Sequence, residues 1–421
     1  MEIFYKNQIL LRFLVFFCIT LFHATAQTYT TWKEVERAQF GQEVIYKTKE
    51  GKALDGDYKI AENSGAYTEV SFANGKPNGE WKTYDFTGKI ESISRFKSGI
   101  ADGKSEVFFQ NGKLKEESFW NVGKKTGTWK SYRKEGDVWS EESYKDDKKE
   151  GKWMKKIQST QTGKNTVSTE FYKDDKRTGT WEEKDDEGRV VKSKKFTAHN
   201  DYEEKEFYPN GQLAILQTYQ NNVLNGISQT YSTIGQLQDE AEYDKGYIIS
   251  KKTFHDNKKV ASIAHYKDQA LDGKHEFYSE TGDLIHSKEY KEGYLMGKKY
   301  FHQNGKLRDN ISYEYNKKQG KSERFNEKGI KTLESFYKDD VETGTWNYFN
   351  EDGDKESSQE YKNGVKDGAY IRYNEAGGKK LEGIFENGKR TGTWKHYKLN
   401  GKIEKETVYK DDNMVSEKEY K

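Results

Sequence analysis

One feature constrains the fold of this chain more than any other: a glycine and aromatic pattern that recurs every 23 or 24 residues. Four segments show it most clearly: GEWKTYDFTGKI from Gly79, GTWKSYRKEGDV from Gly127, GTWNYFNEDGDK from Gly344 and GTWKHYKLNGKI from Gly392. We count the first glycine as position zero. The template then has rings at positions two, five and seventeen, a second glycine at nine and an aliphatic residue at eleven. A fixed period of this length is typical of proteins built by stacking one small repeat.

The register holds over most of the chain and predicts about fifteen repeats within residues 56–415. Tyr202 and Ile249 replace the first glycine but keep its spacing, and one step of 28 residues reflects four extra residues near Thr160 to Lys164. Residues 27–55 and 416–421 resemble half repeats and are predicted to be an N-terminal and a C-terminal cap. Position zero falls at Gly56, Gly79, Gly103, Gly127, Gly151, Gly179, Tyr202, Gly226, Ile249, Gly273, Gly297, Gly320, Gly344, Gly368 and Gly392.

Each repeat is predicted to be an antiparallel β-hairpin. Asn-Gly between two alternating runs indicates a two-residue type I′ turn, which needs positive φ at both central residues. The Lys-Asp-Asp and Asn-Gly stretches between repeats are predicted to make the reverse turn. The fold class is therefore all-β, an elongated repeat array of hairpins in an open meander. The predicted turn glycines are Gly88, Gly112, Gly136, Gly188, Gly211, Gly235, Gly282, Gly353 and Gly401.

The predicted pairing decides which rings share a face of the sheet. With two-residue turns, position two faces fifteen and zero faces seventeen, so positions two, eleven and seventeen lie on one face. The position-five rings lie on the other face, unless a bulge turns them inward. The rows are either the packing layer of the sheet, or one row is exposed and stacks on glycan rings or apolar partner side chains. The candidate binding rows are Trp81, Trp129, Trp181, Trp346 and Trp394 at position two and Tyr84, Tyr132, Tyr278 and Tyr397 at position five.

The composition excludes an ordinary globular core and a nucleic-acid partner. Only 32% of the residues are hydrophobic and 34% are charged, which approaches the composition of disordered chains. The 9 Trp, 30 Tyr and 22 Phe argue against disorder and can fill a thin layer of regularly spaced rings. The net charge is +2 and both signs are interleaved, so the chain lacks the basic stripe that phosphate backbones require.

The N-terminus is predicted to be a signal peptide over residues 1–26. A basic region ends near Arg12, an apolar run follows from Phe13 to Phe22, and Ala24-Thr25-Ala26 forms a small-x-small cleavage site. Cleavage before Gln27 would leave no transmembrane helix, because the apolar run is too short for a span and is removed. We therefore expect an exported protein that is periplasmic, at the cell surface or secreted.

The residues suggest no catalytic chemistry. The sequence has no nucleophile elbow, no Walker A loop and no zinc-protease motif, so no enzyme is predicted. The only cysteine, Cys18, lies within the signal peptide and follows Phe17, which does not suit a lipoprotein signal. A mature chain without cysteine has no disulfide and no thiolate metal site.

Two clusters deserve a metal-binding interpretation beside a structural one. His275 and His286 would be diagonal neighbours on one face, where they either bind zinc or copper or replace aromatic rings at template positions. Paired aspartates recur in register and either bind Ca²⁺ or fill turn positions, and a lysine before each pair favours the turn. We predict no metal and no cofactor. The pairs are Asp146-Asp147, Asp174-Asp175, Asp339-Asp340 and Asp411-Asp412.

From Gly41 to Lys421 the template resembles MORN repeats, in the variant found in bacterial YwqK-type antitoxin-like proteins. The period, the paired glycines and the aromatic positions carry the resemblance. It implies a single sheet of meandering hairpins used for scaffolding, membrane association or protein binding. Our leading hypothesis is a non-catalytic exported module that binds a protein or a cell-envelope component. The alternatives are carbohydrate binding through the aromatic rows and an antitoxin or immunity role.

Overall fold

The computed structural model describes residues 26–41, 43–158 and 165–421. The predicted signal peptide, apart from its last residue, and the extra residues near Thr160 to Lys164 lie outside the described residues. The chain divides into two compact units. Unit 1 comprises Met1–Lys155 with Lys173–Asp175, and unit 2 comprises Lys156–Tyr172 with Lys176–Lys421.

The described residues form strands and turns, with one short 3₁₀ segment at Trp32–Glu34. None of their helical segments has the length and apolar character that crossing a membrane requires. The first thirteen strands are β1 (Thr28–Thr31), β2 (Val35–Phe40), β3 (Glu43–Thr48), β4 (Gly56–Ala61), β5 (Tyr67–Ala73), β6 (Lys76–Tyr84), β7 (Ile90–Lys97), β8 (Ile100–Ala101), β9 (Gly103–Phe108), β10 (Leu114–Asn121), β11 (Lys124–Tyr132), β12 (Val138–Lys145) and β13 (Lys148–Gln158).

The last three residues of β13 and nearly all of β14 belong to unit 2. The remaining strands are β14 (Asn165–Lys173), β15 (Lys176–Arg177), β16 (Thr180–Lys184), β17 (Val190–Ala198), β18 (Asp201–Phe207), β19 (Leu213–Gln220), β20 (Val223–Tyr231), β21 (Leu237–Asp244), β22 (Tyr247–Phe254), β23 (Val260–Lys267), β24 (Ala270–Tyr278), β25 (Leu284–Lys291), β26 (Tyr294–Phe301), β27 (Leu307–Glu314), β28 (Lys317–Phe325), β29 (Lys331–Lys338), β30 (Val341–Phe349), β31 (Lys355–Lys362), β32 (Val365–Tyr373), β33 (Lys379–Glu386), β34 (Lys389–Tyr397), β35 (Ile403–Lys410) and β36 (Asn413–Glu419).

Each unit is an open antiparallel meander, which confirms the predicted fold class. In unit 1, strands β4 to β13 pair in sequence order, and β1 adds to the edge as a parallel neighbour of β4. The hairpin β2–β3 forms a separate two-stranded sheet. In unit 2, each strand from β16 to β36 pairs with its sequence neighbour, and β14 pairs with β16.

The predicted register is confirmed for the first half of most hairpins, whereas Gly56 faces Phe72 and Gly297 faces Ser312. Gly127 lies opposite Tyr144, and Trp129 lies opposite Glu142, as a sum of seventeen requires. The register then shifts by one residue between positions four and five, in this repeat between Ser131 and Tyr132. Position five therefore pairs with position eleven, here Tyr132 with Val138. The prediction that position eleven shares a face with positions two and seventeen is wrong. The bulge adds one residue before position eleven is reached, so the side chain at position eleven lies on the same face as position five.

The hairpin turns differ in type from the prediction. In the described hairpin turns, positive φ is found at the closing residue near position nine, a glycine in all of them but one, where it is Lys258, and its N–H donates to the carbonyl three residues earlier. This is a type I turn closed by a left-handed glycine, so the predicted type I′ turn at Asn-Gly is wrong. The nine predicted turn glycines all adopt φ between +77° and +101°. The two-residue type I′ geometry is found between repeats instead, as at Asp146 (φ +50°) and Asp147 (φ +69°).

The N-terminal end of unit 1 contains the one cluster of fully buried apolar side chains in the described residues. Leu54, Ile60, Val70 and Phe72 are at most 4% exposed. The hairpin β2–β3 lies over them and is hydrogen-bonded to the turn before β6, where the N–H of Tyr46 donates to the carbonyl of Gly75 at 2.7 Å. Burying four such side chains stabilises this end by roughly 1.5–3 kcal/mol each.

Candidate functional site

The rings at positions two and seventeen form continuous rows on one face of the sheet. In unit 1, Trp120, Trp129, Tyr144 and Trp153 follow one another with centroid distances of 4.9, 5.4 and 5.1 Å. Most pairs are tilted or edge-on, which is the favoured geometry for aromatic pairs. The structure therefore brings the predicted position-two and position-seventeen rings together.

Unit 2 has two such rows, separated by repeats without tryptophan at position two. The first runs from Tyr172 through Trp181 and Phe196 to Tyr202 and Tyr219. The second contains Tyr337, Trp346 and Tyr361, followed by Phe385, Trp394 and Tyr409. In the five repeats between them the place of tryptophan is taken by Ser228, Lys251, His275, Lys299 and Ser322.

The tryptophans of the rows are held rigidly by the neighbouring repeat. The indole Nε1–H of Trp129 donates to the carbonyl of Phe119 at 3.0 Å, and that of Trp346 donates to the carbonyl of Phe336 at 3.2 Å. Trp346 and Trp394 are only 7% and 5% exposed. Trp394 lies directly on Gly383, where an added Cβ would overlap the indole. These tryptophans act mainly as packing groups.

Cations from position minus two cover many of the remaining ring faces. The ammonium of Lys125 lies 4.4 Å from the Trp129 centroid and 4.9 Å from that of Tyr144. Such contacts contribute about 0.5–1 kcal/mol each at exposed sites. A glycan approaching these faces would have to displace the cation. Equivalent contacts join Lys149 to Trp153, Arg177 to Trp181, Lys318 to Tyr337, Lys366 to Phe385 and Arg390 to Tyr409.

The position-five tyrosines belong to the charged face rather than to the aromatic rows. After the bulge their hydroxyls reach carboxylates on neighbouring strands or on their own strand. Tyr132 donates to Glu117 at 2.8 Å, and burial with this carboxylate raises the pKa of Tyr132 to about 12. Burial alone would raise the pKa of Glu117, but hydrogen bonds from Tyr132 and Lys104 outweigh it and lower that pKa. Tyr84, Tyr278 and Tyr397 donate in the same way to Glu69, Glu276 and Glu382.

The histidine cluster is a stack of rings. Phe277 lies between His275 and His286, with centroids 4.1 and 4.2 Å away. Burial, together with the charge of Lys288, lowers the pKa of both histidines. Among the described residues, no group of three or more His, Cys, Asp or Glu side chains is arranged to hold a metal ion. The aromatic-replacement interpretation fits this geometry.

The paired aspartates link one turn to the preceding one. The second residue of each pair accepts a backbone hydrogen bond from position minus two of the same repeat, as Asp147 Oδ1 does from Lys125 N at 2.8 Å and Asp340 Oδ1 from Lys318 N at 2.7 Å. These carboxylate oxygens serve the turns, which fits the structural interpretation of the pairs.

Sequence reasoning missed a row of exposed apolar side chains along one long edge of unit 2. In a meander every second turn lies on the same edge. Five apolar residues on this edge are the first strand residue after an inter-repeat turn, and Tyr315 is the first residue of such a turn. We call this set the turn-edge row. Its spacing is about 9–10 Å per repeat, two strand separations. Its members are Val223 (43% exposed), Tyr247 (51%), Tyr294 (45%), Tyr315 (66%), Val341 (43%) and Val365 (43%).

Tyr315 is the most unusual member of the turn-edge row. It occupies the first position of a type I′ turn with φ +47°, where most other repeats have Asn, Asp, Ser, Lys or Glu. Its ring packs edge-on against Tyr294 at 5.2 Å. A bulky side chain in the left-handed region costs roughly 1–2 kcal/mol. The signal in the sequence was an aromatic or aliphatic residue beside the inter-repeat turn, which the template does not include.

Five segments match the family model of the MORN repeat variant: residues 77–98, 101–121, 125–146, 203–221 and 390–411. Four of the five begin two residues before position zero, so the match keeps the register of the hairpins. The match supports the repeat type that the sequence suggested. It does not distinguish the antitoxin-like subtype.

No curated protein matches the chain significantly. Solved structures with similarity include the Tc holotoxin pore of Photorhabdus luminescens carrying a TccC3 mutation and a TcdB2-TccC3 crystal structure. Both are 11% identical to this chain, with a TM-score of 0.13, and cover 90% and 92% of it. The chain spans 29% and 30% of the length of those proteins.

Proposed function

We propose that this chain is a non-catalytic protein-binding or scaffolding module that acts outside the cytoplasm and holds its partner along the turn-edge row. The observation that carries the proposal is the row itself. Six apolar side chains, each at least 43% exposed, lie at inter-repeat turns on one edge of unit 2. Exposed apolar patches rimmed by polar groups are typical of interaction sites.

The chemistry beside the row favours a partner without a strong net charge. The turns next to the row carry cations and anions in nearly equal number, so neither sign dominates. Aromatic and aliphatic anchors with a mixed polar rim are characteristic of protein interfaces. The charged turn residues are Asp244, Lys245, Lys267, Asp268, Lys291, Glu292, Glu314, Lys338, Asp339, Asp340 and Lys362.

The strain at Tyr315 supports an interaction role for the row. A left-handed tyrosine lowers the stability of its turn, and residues in such conformations cluster at functional sites. Its exposed ring contributes only one aromatic contact in return, to Tyr294. Replacing it by asparagine should therefore stabilise the turn and weaken partner binding.

Site-specific photo-cross-linking in envelope extracts tests the proposal. A cross-linking residue at Tyr294 should capture a defined protein, and the same residue at Ile234 or Leu399 should not. These controls are 72% and 84% exposed apolar residues on the hairpin turns of the opposite edge. Tyr315→Asn should raise the melting temperature and reduce capture from Tyr294. Equal capture from both edges, or unchanged capture in Tyr315→Asn, would contradict the proposal.

Export rests on the basic, apolar and small-residue segments of residues 1–26. The test of export is the N-terminal sequence of the protein recovered from the envelope or the medium, which should begin at Gln27.

Carbohydrate binding by the aromatic rows is less well supported, because cations and neighbouring repeats cover many of the ring faces. The antitoxin role implied by the resemblance stays a prediction.

A further inference from the structure

The hairpin β2–β3 creates a cleft at the Gly79 repeat of unit 1. The cleft has a volume of about 370 Å³, within the range of small-molecule sites. Its floor is the ring-bearing face of β6 and β7, and its opposite wall comes from Val44, Tyr46 and Arg37 of the hairpin. Sites in repeat proteins are expected where the repeat is interrupted, and this hairpin lies outside the template.

The aromatic wall of the cleft lacks the cation found at many other repeats. Position minus two is Pro77 here, where the Gly127 repeat has Lys125. Among the described residues, no ammonium or guanidinium lies over the ring of Trp81 or Phe96. Trp81 lies 5.6 Å from Tyr46 and 6.0 Å from Phe96, centroid to centroid, and Trp32, which does not line the cleft, stacks on Trp81 at 5.9 Å. The rings thus line a space that no side chain of the repeat fills.

The polar part of the cleft consists of hydroxyl groups and one cation. Thr83, Ser92 and Ser94 line the floor beside Trp81, and Thr83 and Ser92 are 2.7 Å apart through their hydroxyls. Each hydroxyl has one donor and two acceptor sites, so capacity remains for a ligand. A neutral apolar ligand would cover these groups without satisfying them.

Arg37 gives the cleft a positive charge. It lies opposite Tyr46 in the β2–β3 ladder, and among the described residues no carboxylate is within ion-pair distance of its guanidinium. Both Arg37 and Tyr46 line the cleft, and the charge of Arg37 opposes the rise in the pKa of Tyr46 that burial causes. A planar guanidinium is well suited to a carboxylate.

We propose that this cleft binds a carboxylate-bearing sugar, a uronic acid residue of an acidic glycan. The apolar C–H face of the sugar ring packs on Trp81 and Phe96, as sugars do on aromatic rings. The sugar hydroxyls exchange hydrogen bonds with Thr83 and Ser94, and its carboxylate pairs with Arg37. The cleft shares no residue with the turn-edge row, so it can be tested independently of the protein-binding proposal.

Saturation-transfer NMR and calorimetry on the full mature chain test the site, with glucuronate as the probe. Glucose lacks the carboxylate and benzoate lacks the hydroxyls, so both should bind at least tenfold more weakly than glucuronate. Arg37→Gln should weaken glucuronate binding at least tenfold, and Arg37→Lys should recover part of the loss. Lys33→Gln, an exposed cation near the hairpin, should leave the affinity unchanged.

Three results would overturn the proposal. They are benzoate binding as tightly as glucuronate, unchanged affinity in Arg37→Gln, and equal loss in Lys33→Gln. Failure to detect glucuronate binding at tens of millimolar would also overturn it. Arg37 is exposed, so its variants should fold, and an unchanged circular dichroism spectrum verifies this. Cross-linking from Tyr294 in the same Arg37→Gln protein should be unaffected, which separates the two proposals.

Discussion

The Gly79 and Gly127 repeats of unit 1 share one template but differ in what covers their rings. Both have tryptophan at position two, Trp81 and Trp129, each opposite the residue that the template requires. At Gly127 the repeat's own Lys125 covers the tryptophan ring, whereas at Gly79 the ring is covered by Trp32 and by Tyr46 of the hairpin β2–β3, next to a buried apolar cluster. The repeat template therefore specifies the sheet, and residues outside the template specify what covers the aromatic rings.

The largest expected difference concerns leucine truncation. Leu54→Ala removes a side chain that is 1% exposed under the hairpin and should destabilise the N-terminal end by about 2–5 kcal/mol. Leu114→Ala makes the same chemical change in the Gly103 repeat, where the side chain is half-buried, and should cost about half as much. Native-state hydrogen exchange resolves the two regions. Equal losses in the free energy of unfolding would mean that the hairpin β2–β3 does not form a buried core at this end.

A matched glycine pair sharpens the comparison. Gly75 and Gly123 both end a type I′ turn with φ +76°, so alanine carries the same backbone strain at each. An added Cβ at Gly75 would lie 2.5 Å from Ile45 Cγ2 and 2.7 Å from Tyr46 O, against 3.2 Å from Ile100 Cγ2 at Gly123. Gly75→Ala should therefore lower the free energy of unfolding by about 1–3 kcal/mol more than Gly123→Ala does.

The extra cost at Gly75 should come with local loosening. In urea titrations of both variants, Gly75→Ala should also increase hydrogen exchange in β2 and β3, while Gly123→Ala should not. A smaller effect at Gly75 than at Gly123 would show that the hairpin is not held against this turn.

Acid should weaken the Gly127 repeat through protonation of Glu117, which accepts a hydrogen bond from Tyr132. The net pKa of Glu117 lies below its ordinary value because Tyr132 and Lys104 bond it more strongly than burial opposes its charge. A lowered folded-state pKa means that this stabilisation is complete above pH 4.5 and is lost as the pH falls below it. A hydrogen bond to a charged group contributes on the order of 1.5–3 kcal/mol.

The variants Glu117→Gln and Glu116→Gln separate this effect from general acid sensitivity. Unfolding midpoints at pH 7 and pH 3 should differ less in Glu117→Gln than in the parent chain. Glu116→Gln, whose carboxylate is 54% exposed, should keep the parent pH dependence. The acid hypothesis is wrong if both variants respond to pH alike.

The smallest expected effect comes from the cation over the rings. Lys125→Met should destabilise the Gly127 repeat by about 0.5–1 kcal/mol, because the ammonium contacts both Trp129 and Tyr144. Lys124→Met, at an exposed neighbouring position, should change stability by less than that. Thermal melts at low and high salt check both, and the Lys125 effect should persist in salt because ring contacts are partly desolvated.

The template predicted the strands well and the turns less well. Position zero faces seventeen, as expected from alternation alone, in Gly127 and Tyr144. A bulge is present before position five, but it does not turn the position-five rings inward: Tyr132 stays on the face opposite to Trp129. Alternation could not place the bulge, because one extra residue reverses the facing of every later residue on that strand. The type of the hairpin turns was predicted wrongly, because Asn-Gly also suits a type I turn closed by a left-handed glycine.

The positions of the candidate binding residues were predicted from the sequence, but their exposure to solvent was not. Trp346 and Trp394 are in the expected places, yet they are buried by their neighbours. Tyr132 is at position five as expected, but its hydroxyl serves a carboxylate network. The turn-edge row and the cleft at Trp81 were not predicted, since both depend on which segments meet in space.

The sequence by itself determined the period, the strands and the sheet, because backbone pairing, alternation and turn glycines act over a few residues. Only the tertiary structure decided which groups pack over each aromatic ring, which residue pairs with position eleven, and where the hairpin β2–β3 lies relative to Trp81. Those outcomes depend on contacts between segments far apart in the chain, whose free energies are set by packing and burial rather than by local pattern.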